Sequence, residues 1–457
     1  MIRLRAKLRS PAAGDQARDA VRELGLHDGL ALETLLAALA GEGVPFPAES
    51  AWADAAAGAL EHLGRRQLVD FHLADPANGI VLSPCSAGFA LAAIPRIEEG
   101  RWKLSRFAYL HVDEGRFVAR TPLADCYLAL ADPRARALLV ALDGPQEAAG
   151  LAQGDTNAFS AAAALGLFAR AGLILSCDGA GTTSEERDDA ARQWDFHELL
   201  FHAQSRLGRT EKPIGGTYSF HGVIPPQPAV KAIPEAWAET VHALPRADVA
   251  ALMATDLPLT AALERRRSIR QHGIVPPSAA ELGELLFRAA RIRSEFVNEL
   301  GDFTSRPYPG GGACYELEIY VTIEACRDLP RGFYYYDPRA HRLCRISGPS
   351  ADTEGLLADA YRSTAGQGRP QILLTLASRF NRFNWKYRGM AYAAQLKNVG
   401  VVYQTLYLIA TAMGLAPCAL GLGDTDRFCR MTGLPYLSEG SIGEFMLGSA
   451  LPTTDGA

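Results

Sequence analysis

Apolar residues recur at helical spacing around Leu30 to Leu39 and again from Trp52 to Leu63, with a break at GEGVPFP between them. An alternating run, QLVDFHLADPANGIVLSP, follows and predicts a hairpin. Two helices and a hairpin describe a small winged-helix-like module over residues 1–95. The same grammar begins again near Phe107. FAYLHVDEGRFVARTP alternates as two strands about the turn DEG, and ARALLVAL and AFSAAAALGLFARAGLIL have helical spacing. The second of these helices stops at Gly172 and a short strand follows. A second module therefore spans 100–178. The stretch CDGAGTTSEERDDAARQ that ends it is small, polar and acidic, and predicts a linker over 179–193.

Residues 194–457 read differently. WDFHELLFHAQSRLGR carries Phe196, Leu199, Leu200 and Leu207 at helical spacing, and VIPPQPAVKAIP predicts an extended surface crossing. Strand-like runs (YELEIYVTI, GFYYYDPRAHRLCRI, QILLTLAS) are mixed with helical segments around Glu281 to Leu300 and Met390 to Met413. That mixture predicts an α+β domain.

Composition narrows the class. At 457 residues the chain is too long for one ordinary core, and 48% apolar with 21% charged residues is the balance of a folded protein. A net charge of -5 with no basic stripe argues against a nucleic-acid partner. No stretch approaches the roughly 18 uninterrupted apolar residues of a membrane span, and the basic N-terminus lacks a signal-peptide core, so a cytoplasmic location is expected. The cysteines (Cys85, Cys126, Cys177, Cys314, Cys326, Cys344, Cys418, Cys429) are scattered without a C-x-x-C pair, which reads as free, mostly buried thiols.

Several motifs are misleading. His197 and His202 in HELLFH are five apart, so the second imidazole lies about 140° round the helix from the first, and no metal is expected there. Gly421 and Gly423 lack the third glycine and the βαβ frame of a dinucleotide fold, and Gly310 to Gly312 lack the lysine and hydroxyl of a phosphate-binding P-loop. ERRRSIRQHG is more informative, since guanidinium forks at alternate positions around a hydroxyl suit a phosphate. Taken alone it reads more readily as a solvated basic face.

The ordered set of motifs carries a family resemblance. Arg266, Ser268 and Arg270 match the R-x-S-x-R opening of the nitroreductase superfamily, with Arg267 between them. RPYPGGGACYELEIYV resembles the RPYPSGGARHPLEIYV signature of its SagB-type dehydrogenases. GFYYYDPRAHRL, NWKYRGMAY, KNVGVVYQTLYLIATAMGLAPCALGLGD and EGSIGEFMLGS then follow in the family's order. The resemblance spans about 194 to 449. It implies a nitroreductase-like FMN domain over 194–457, with the FMN phosphate at Arg266, Arg267, Ser268 and Arg270. The flavin ring is expected against Pro309, Gly310, Gly311 and Gly312 and near Ala419, Leu420 and Gly421. Gly310 stands where relatives carry serine. The order of elements over 100–178 resembles the PqqD-like modules that bind leader peptides by strand addition.

SagB-type enzymes need a Lys-Tyr pair for azoline oxidation, and Lys386 and Tyr387 match it. Azole formation removes a ring proton while a hydride leaves, so a base must stand beside the ring. A tyrosinate serves only if its pKa falls from about 10, which a nearby ammonium would achieve. The resemblance thus implies a homodimeric FMN-dependent dehydrogenase that makes thiazoles or oxazoles in a peptide with a leader sequence, alongside a cyclodehydratase partner, with dioxygen reoxidising the flavin. Two alternatives stay open: an NAD(P)H-dependent nitro or quinone reductase, and a noncatalytic peptide-binding scaffold.

Overall fold

The alternating segments of the first 130 residues form one antiparallel sheet, not two small ones. The computed structural model describes residues 2–24, 29–46, 53–73, 79–153 and 159–451. Trp52, the run 74–78 and the last six residues lie outside them. The chain divides into two compact units, Met1–Ile214 and Gly215–Ala457.

In the first unit the strands are β1 (Leu4–Leu8), β2 (Val44–Phe46), β3 (Val69–Leu73), β4 (Ile80–Pro84), β5 (Arg101–Leu104), β6 (Tyr109–Asp113), β7 (Arg116–Arg120), β8 (Cys126–Leu130), β9 (Gln146–Glu147) and β10 (Ile174–Ser176). Seven of them pair in the order β2-β1-β3-β4-β8-β7-β6, and β5 lies between β10 and β9 in a smaller sheet. Helices α1 (Ala13–Glu23), α2 (Gly29–Ala40), α3 (Ala53–Arg65), α4 (Pro133–Val140), α5 (Ala148–Ala152) and α6 (Ala161–Arg170) pack around them. Strand β4 pairs with β8 from Ile80↔Leu130 to Pro84↔Cys126, joining the stretches 1–95 and 100–178 in one sheet. One core contains Val21, Leu60, Phe71, Leu128, Leu165 and Phe168 from both stretches. Helix α1 escapes sequence reading because its buried stripe is Ala13, Ala17, Ala20 and Val21, too weakly apolar to stand out.

The expected linker is instead fastened down. It contains α7 (Ser184–Arg187), opened by a capping box between Thr183 and Glu186. Buried Glu185 accepts from Ser105 Oγ at 2.9 Å, and Lys103 Nζ donates to Glu186 at 2.7 Å. The acidic residues that suggested a solvated tether are hydrogen-bond acceptors for the strand beside them. Helix α8 (Phe196–Gln204) then belongs to the first unit, whereas the sequence expectation began the α+β domain at Trp194.

The second unit is α+β. Its strands are β11 (Gly215–Gly216), β12 (Val241–Ala243), β13 (Ser294–Asn298), β14 (Gly301–Ser305), β15 (Leu317–Ile323), β16 (Gly332–Asp337), β17 (Arg342–Ser347), β18 (Ile372–Arg379), β19 (Tyr387–Arg388), β20 (Leu415–Leu420) and β21 (Glu439–Ser449). Seven form an antiparallel sheet in the order β12-β17-β16-β15-β18-β21-β20. The helices are α9 (Glu235–Ala238), α10 (Val249–Thr255), α11 (Leu259–Arg265), α12 (Ala279–Ala290), α13 (Ala351–Ser363), α14 (Phe380–Asn384), α15 (Ala391–Ala412) and α16 (Thr425–Thr432). Residues of β21 alternate between two cores: Phe445 and Leu447 pack with Leu282, Leu286 and Leu406, and Met446 with Tyr320, Leu356 and Phe428. Both faces of the sheet are thus covered, and each fully buried Leu or Phe contributes roughly 1.5–3 kcal/mol.

One expectation changes here. The helix foreseen from Glu281 to Leu300 ends at Ala290, because SEFVNELGDFTS folds back as the β13–β14 hairpin. Gly414, in the left-handed region at φ +68, closes α15, and the residues after it run as edge strand β20, paired with β21 from Leu415↔Ser449 to Leu420↔Glu444.

Glu444 is buried on β21, and burial, reinforced by Asp359, pushes its carboxyl up to about 8. An acid whose folded pKa is raised contributes stability below its unfolded pKa and loses it as pH rises through the folded value. Stability should therefore decline between about pH 4.5 and 8 through this group. Glu444→Gln is expected to flatten that decline in thermal melts, leaving the variant more stable than wild type at pH 8; an unchanged slope would show that Glu444 does not set it.

Candidate functional site

The segment after α11 leaves its arginines in the open. Arg267, Ser268 and Arg270 are exposed, and among the described residues no carboxylate pairs with Arg266, Arg267 or Arg270. What fixes the segment is Tyr407 on α15. The Ser268 and Tyr407 hydroxyls are 2.7 Å apart, the Arg266 guanidinium lies 5.2 Å over the Tyr407 ring, and Tyr407 accepts from the Ala419 N–H at 2.8 Å. Ile269 N–H donates to Pro417 O at 2.9 Å, so the arginine segment runs beside β20. Ala419 is thus brought to Ser268 through one phenol, with Leu420 buried next to it and Gly421 exposed. Gly421 N–H donates to Ser363 Oγ at 3.1 Å, and the space over its Cα is open. Unpaired guanidiniums, a hydroxyl and an open glycine fit a phosphate-bearing planar group.

A second cluster forms around the turn Pro309–Gly310–Gly311–Gly312. A Cβ on Gly310 would touch Tyr315 at 3.1 Å, and one on Gly311 would touch Phe383 at 3.3 Å. Gly312 has φ +58 and its Cβ would lie 2.3 Å from the Tyr387 hydroxyl and 2.5 Å from Lys386 Nζ. Only glycine meets both demands. The glycines were expected to free space for a ring; at these positions the space is taken by the protein's own aromatic and basic side chains. Asn398 of α15 ties the turn down, accepting from Gly311 N–H at 3.3 Å and donating to buried Glu316 at 2.8 Å.

Lys386 and Tyr387 bridge α14 and β19, so neither sits on a regular helix. Helical spacing would send neighbouring side chains about 100° apart. Here both heads close on Gly312: Lys386 Nζ donates to Gly312 O at 3.0 Å, and the Tyr387 ring stacks on Phe383 at 4.7 Å. Buried Arg382 holds the frame by donating to the carbonyls of Cys314, Gln227 and Asp302. Burial opposes charge on Lys386, but the Tyr218 hydroxyl and Tyr387 hold its ammonium above the ordinary lysine range. Burial raises the Tyr387 phenol, and the opposing pull of Lys386 does not overcome it. The expected lowering of Tyr387 is therefore reversed in this state, because the pair is partly desolvated.

Of the sequence-predicted residues, Arg266, Ser268 and Ala419 are brought together by Tyr407, Leu420 belongs instead to the core that holds Phe428 and Met446, and Gly311, Gly312, Lys386 and Tyr387 meet at the glycine turn. Arg267 and Arg270 flank the first cluster, and Pro309 and Gly310 the second. Sequence reasoning missed Tyr218, Arg382, Asn398 and Tyr407. Their signal was slight: Asn398 and Tyr407 lie inside a quoted motif and Arg382 beside one, but none of the four is a residue type unusual for its element.

Gly312→Ala is expected to cost about 1–2 kcal/mol for left-handed backbone strain and to displace the Lys-Tyr pair. A lower melting temperature together with faster chemical nitration of Tyr387 would register that displacement; unchanged Tyr387 reactivity would contradict it.

Comparison with known proteins bears on both units. The sequence pattern of the family described as "Cyanobactin oxidase ThcOx" matches residues 102–211, and that of the "Nitroreductase family" matches 263–449. The candidate nitroreductase MJ1384 of Methanocaldococcus jannaschii is 31% identical over 166 residues, covering 36% of this chain and 79% of that protein. The microcin B17-processing protein McbC of Escherichia coli is 31% identical over 136 residues, covering 28% of this chain and 47% of McbC. The chain thus spans about half of McbC's length. Among solved structures, a chain of the Escherichia coli microcin synthetase McbBCD complex aligns with a TM-score of 0.33 and 21% identity, over 51% of this chain and 90% of that one.

Proposed function

We propose that this chain, an oxidoreductase that belongs to the nitroreductase family, uses FMN to oxidise azoline rings in a ribosomally made peptide to azoles. The observation that carries the reading is the convergence of Lys386 Nζ and the Tyr387 hydroxyl on Gly312, which gives adjacent residues one shared working point. The similarity to the cyanobactin oxidase family and to McbC supports an azoline as the substrate class.

The unpaired Arg266, Arg267 and Arg270, with Ser268, would hold the FMN phosphate, and the backbone of Gly310 to Gly312 and of Ala419 to Gly421 would face the ring. FMN would supply the acceptor for the hydride that leaves the azoline. The protein supplies the proton's destination. Tyr387 takes the ring proton once it has lost its own, and Lys386 stabilises the resulting phenolate. Because burial raises Tyr387, that form is scarce at neutral pH and grows as pH increases.

Asn398 and Tyr407 hold the two clusters from one helix. They are nine residues apart, so they leave α15 on sides roughly 180° apart and about 14 Å along its axis. One flavin between the two clusters is then best served by two copies of the chain, which supports a homodimer with shared sites. In the first unit β6 is a sheet edge with Leu110 and Val112 exposed, a ready surface for an added leader-peptide strand. The azoline itself must come from a cyclodehydrating partner, and dioxygen would reoxidise the flavin. A cytoplasmic location belongs to the same reading, since the substrate is made on ribosomes. No helix among the described residues is long and apolar enough to cross a membrane.

The test is anaerobic flavin bleaching in the purified protein. An azoline-containing leader peptide is expected to bleach the flavin, with a rate that keeps climbing as pH rises, because the Tyr387 phenol is held above the ordinary tyrosine range. Tyr387→Phe should lower that rate by at least about a hundredfold and remove the climb. Bleaching by NADPH alone, indifferent to Tyr387→Phe, would move the chain to the reductase class.

A further inference from the structure

Lys386 has a second phenol at its side. Strand β11 pairs with β19, setting Gly216 opposite Tyr387 and Gly215 opposite Arg388. The chain then turns so that Tyr218 N–H donates to the Lys386 carbonyl at 3.1 Å. Tyr218 adopts φ +49, a left-handed conformation that an aromatic residue keeps only when its surroundings impose it. Those surroundings are visible. The Tyr218 ring meets Trp385 edge-on at 5.9 Å, and Trp385 is itself pinned by its indole N–H to Ile224 O at 2.6 Å. The result is symmetry about the ammonium: Lys386 Nζ lies 5.4 Å from the Tyr218 ring centre and 5.5 Å from that of Tyr387.

We propose that Tyr218 is a positioning residue for the reaction: its ring face and hydroxyl clamp the Lys386 ammonium against the Gly312 carbonyl, and so hold the cation where Tyr387 can use it. The proposal rests on the dehydrogenase reading for its purpose but not for its geometry. Without the clamp, a lysine stem with four rotatable bonds would leave the pair, since one backbone carbonyl is its remaining hydrogen-bond acceptor. A cation over an aromatic face is also held more firmly where water is partly excluded. The groups facing Lys386 are Tyr218, Tyr387, Cys314 and the Gly312 carbonyl, and Glu316 and Arg382 act from one layer further out through Tyr387 and Cys314. Tyr218 joins the Gly312 carbonyl as a group from outside the Lys-Tyr motif that favours the charged lysine, its ring centre 5.4 Å from Nζ.

The experiment reads Lys386 directly, in the full-length protein and without any azoline. Competitive acylation of lysine amines with acetic anhydride is followed against pH by mass spectrometry, with exposed Lys397 as the internal reference. Tyr218→Phe, which deletes one oxygen and keeps the ring on Trp385, is expected to move the Lys386 profile down by about one pH unit, speeding its acylation near pH 8 about tenfold. Tyr218→Leu, which removes the aromatic face too, should move it further, and Lys397 should not respond to either. In azoline turnover, Tyr218→Phe should lower kcat with little change in KM. Superimposable Lys386 profiles in wild type and both variants would overturn the proposal whatever the enzyme's substrate proves to be. A shifted profile with no azoline turnover in wild type would leave the clamp standing and remove the dehydrogenase reading instead.

Discussion

The second unit's chemistry depends on a single backbone constraint: Gly312 sits in the left-handed region with no side chain, and its carbonyl receives the Lys386 ammonium. Everything nearby serves that arrangement. Phe383 stacks under Tyr387, Arg382 staples three carbonyls around the turn, and Asn398 secures Gly311 from the far side. The pair is then partly buried, which strengthens its mutual electrostatics and also raises the phenol. Rigid placement and a phenol that resists ionisation are two consequences of one desolvation.

Helix α15 extends that constraint over distance. Its Asn398 end governs the glycine turn, and its Tyr407 end governs Ser268, Arg266 and Ala419. A long helix suits this task because its hydrogen-bonded backbone transmits position with little bending, and the sheet beneath it is buried on both faces. Nine residues of regular helix point Asn398 and Tyr407 to opposite sides, and the proposed shared site builds on that spacing. For that reason two copies of the chain would share each flavin, the arginines coming from one and the Lys-Tyr pair from the other.

Much of this was legible in the sequence, and the failures have physical reasons. The strands Leu317–Ile323 and Ile372–Arg379 announced themselves as apolar runs because both sheet faces are covered. The hairpin at Ser294–Ser305 was hidden because its first strand is exposed and follows a strong helix without a break. Strand Leu415–Leu420 was hidden by small residues that also suit a helix end. In the first unit, the acidic run near Glu185 read as a tether because sequence does not reveal that Ser105 and Lys103 lie beneath it. The family resemblance pointed to Lys386, Tyr387, Gly312, Arg266 and Ser268 through ordered motifs, whereas Tyr218, Asn398 and Tyr407 reach these residues through tertiary contacts that no local pattern encodes.

Mixing two defective variants tests whether two copies of the chain share each flavin site. One variant carries Arg266→Ala and Arg270→Ala, the other Tyr387→Phe, and each alone should be inactive in azoline oxidation. After dissociation and random reassociation, half the dimers are mixed and one of their two sites is whole, so about a quarter of wild-type activity should return. No recovery, with mixed dimers verified by mass, would contradict the shared site by showing that each copy builds its own alone.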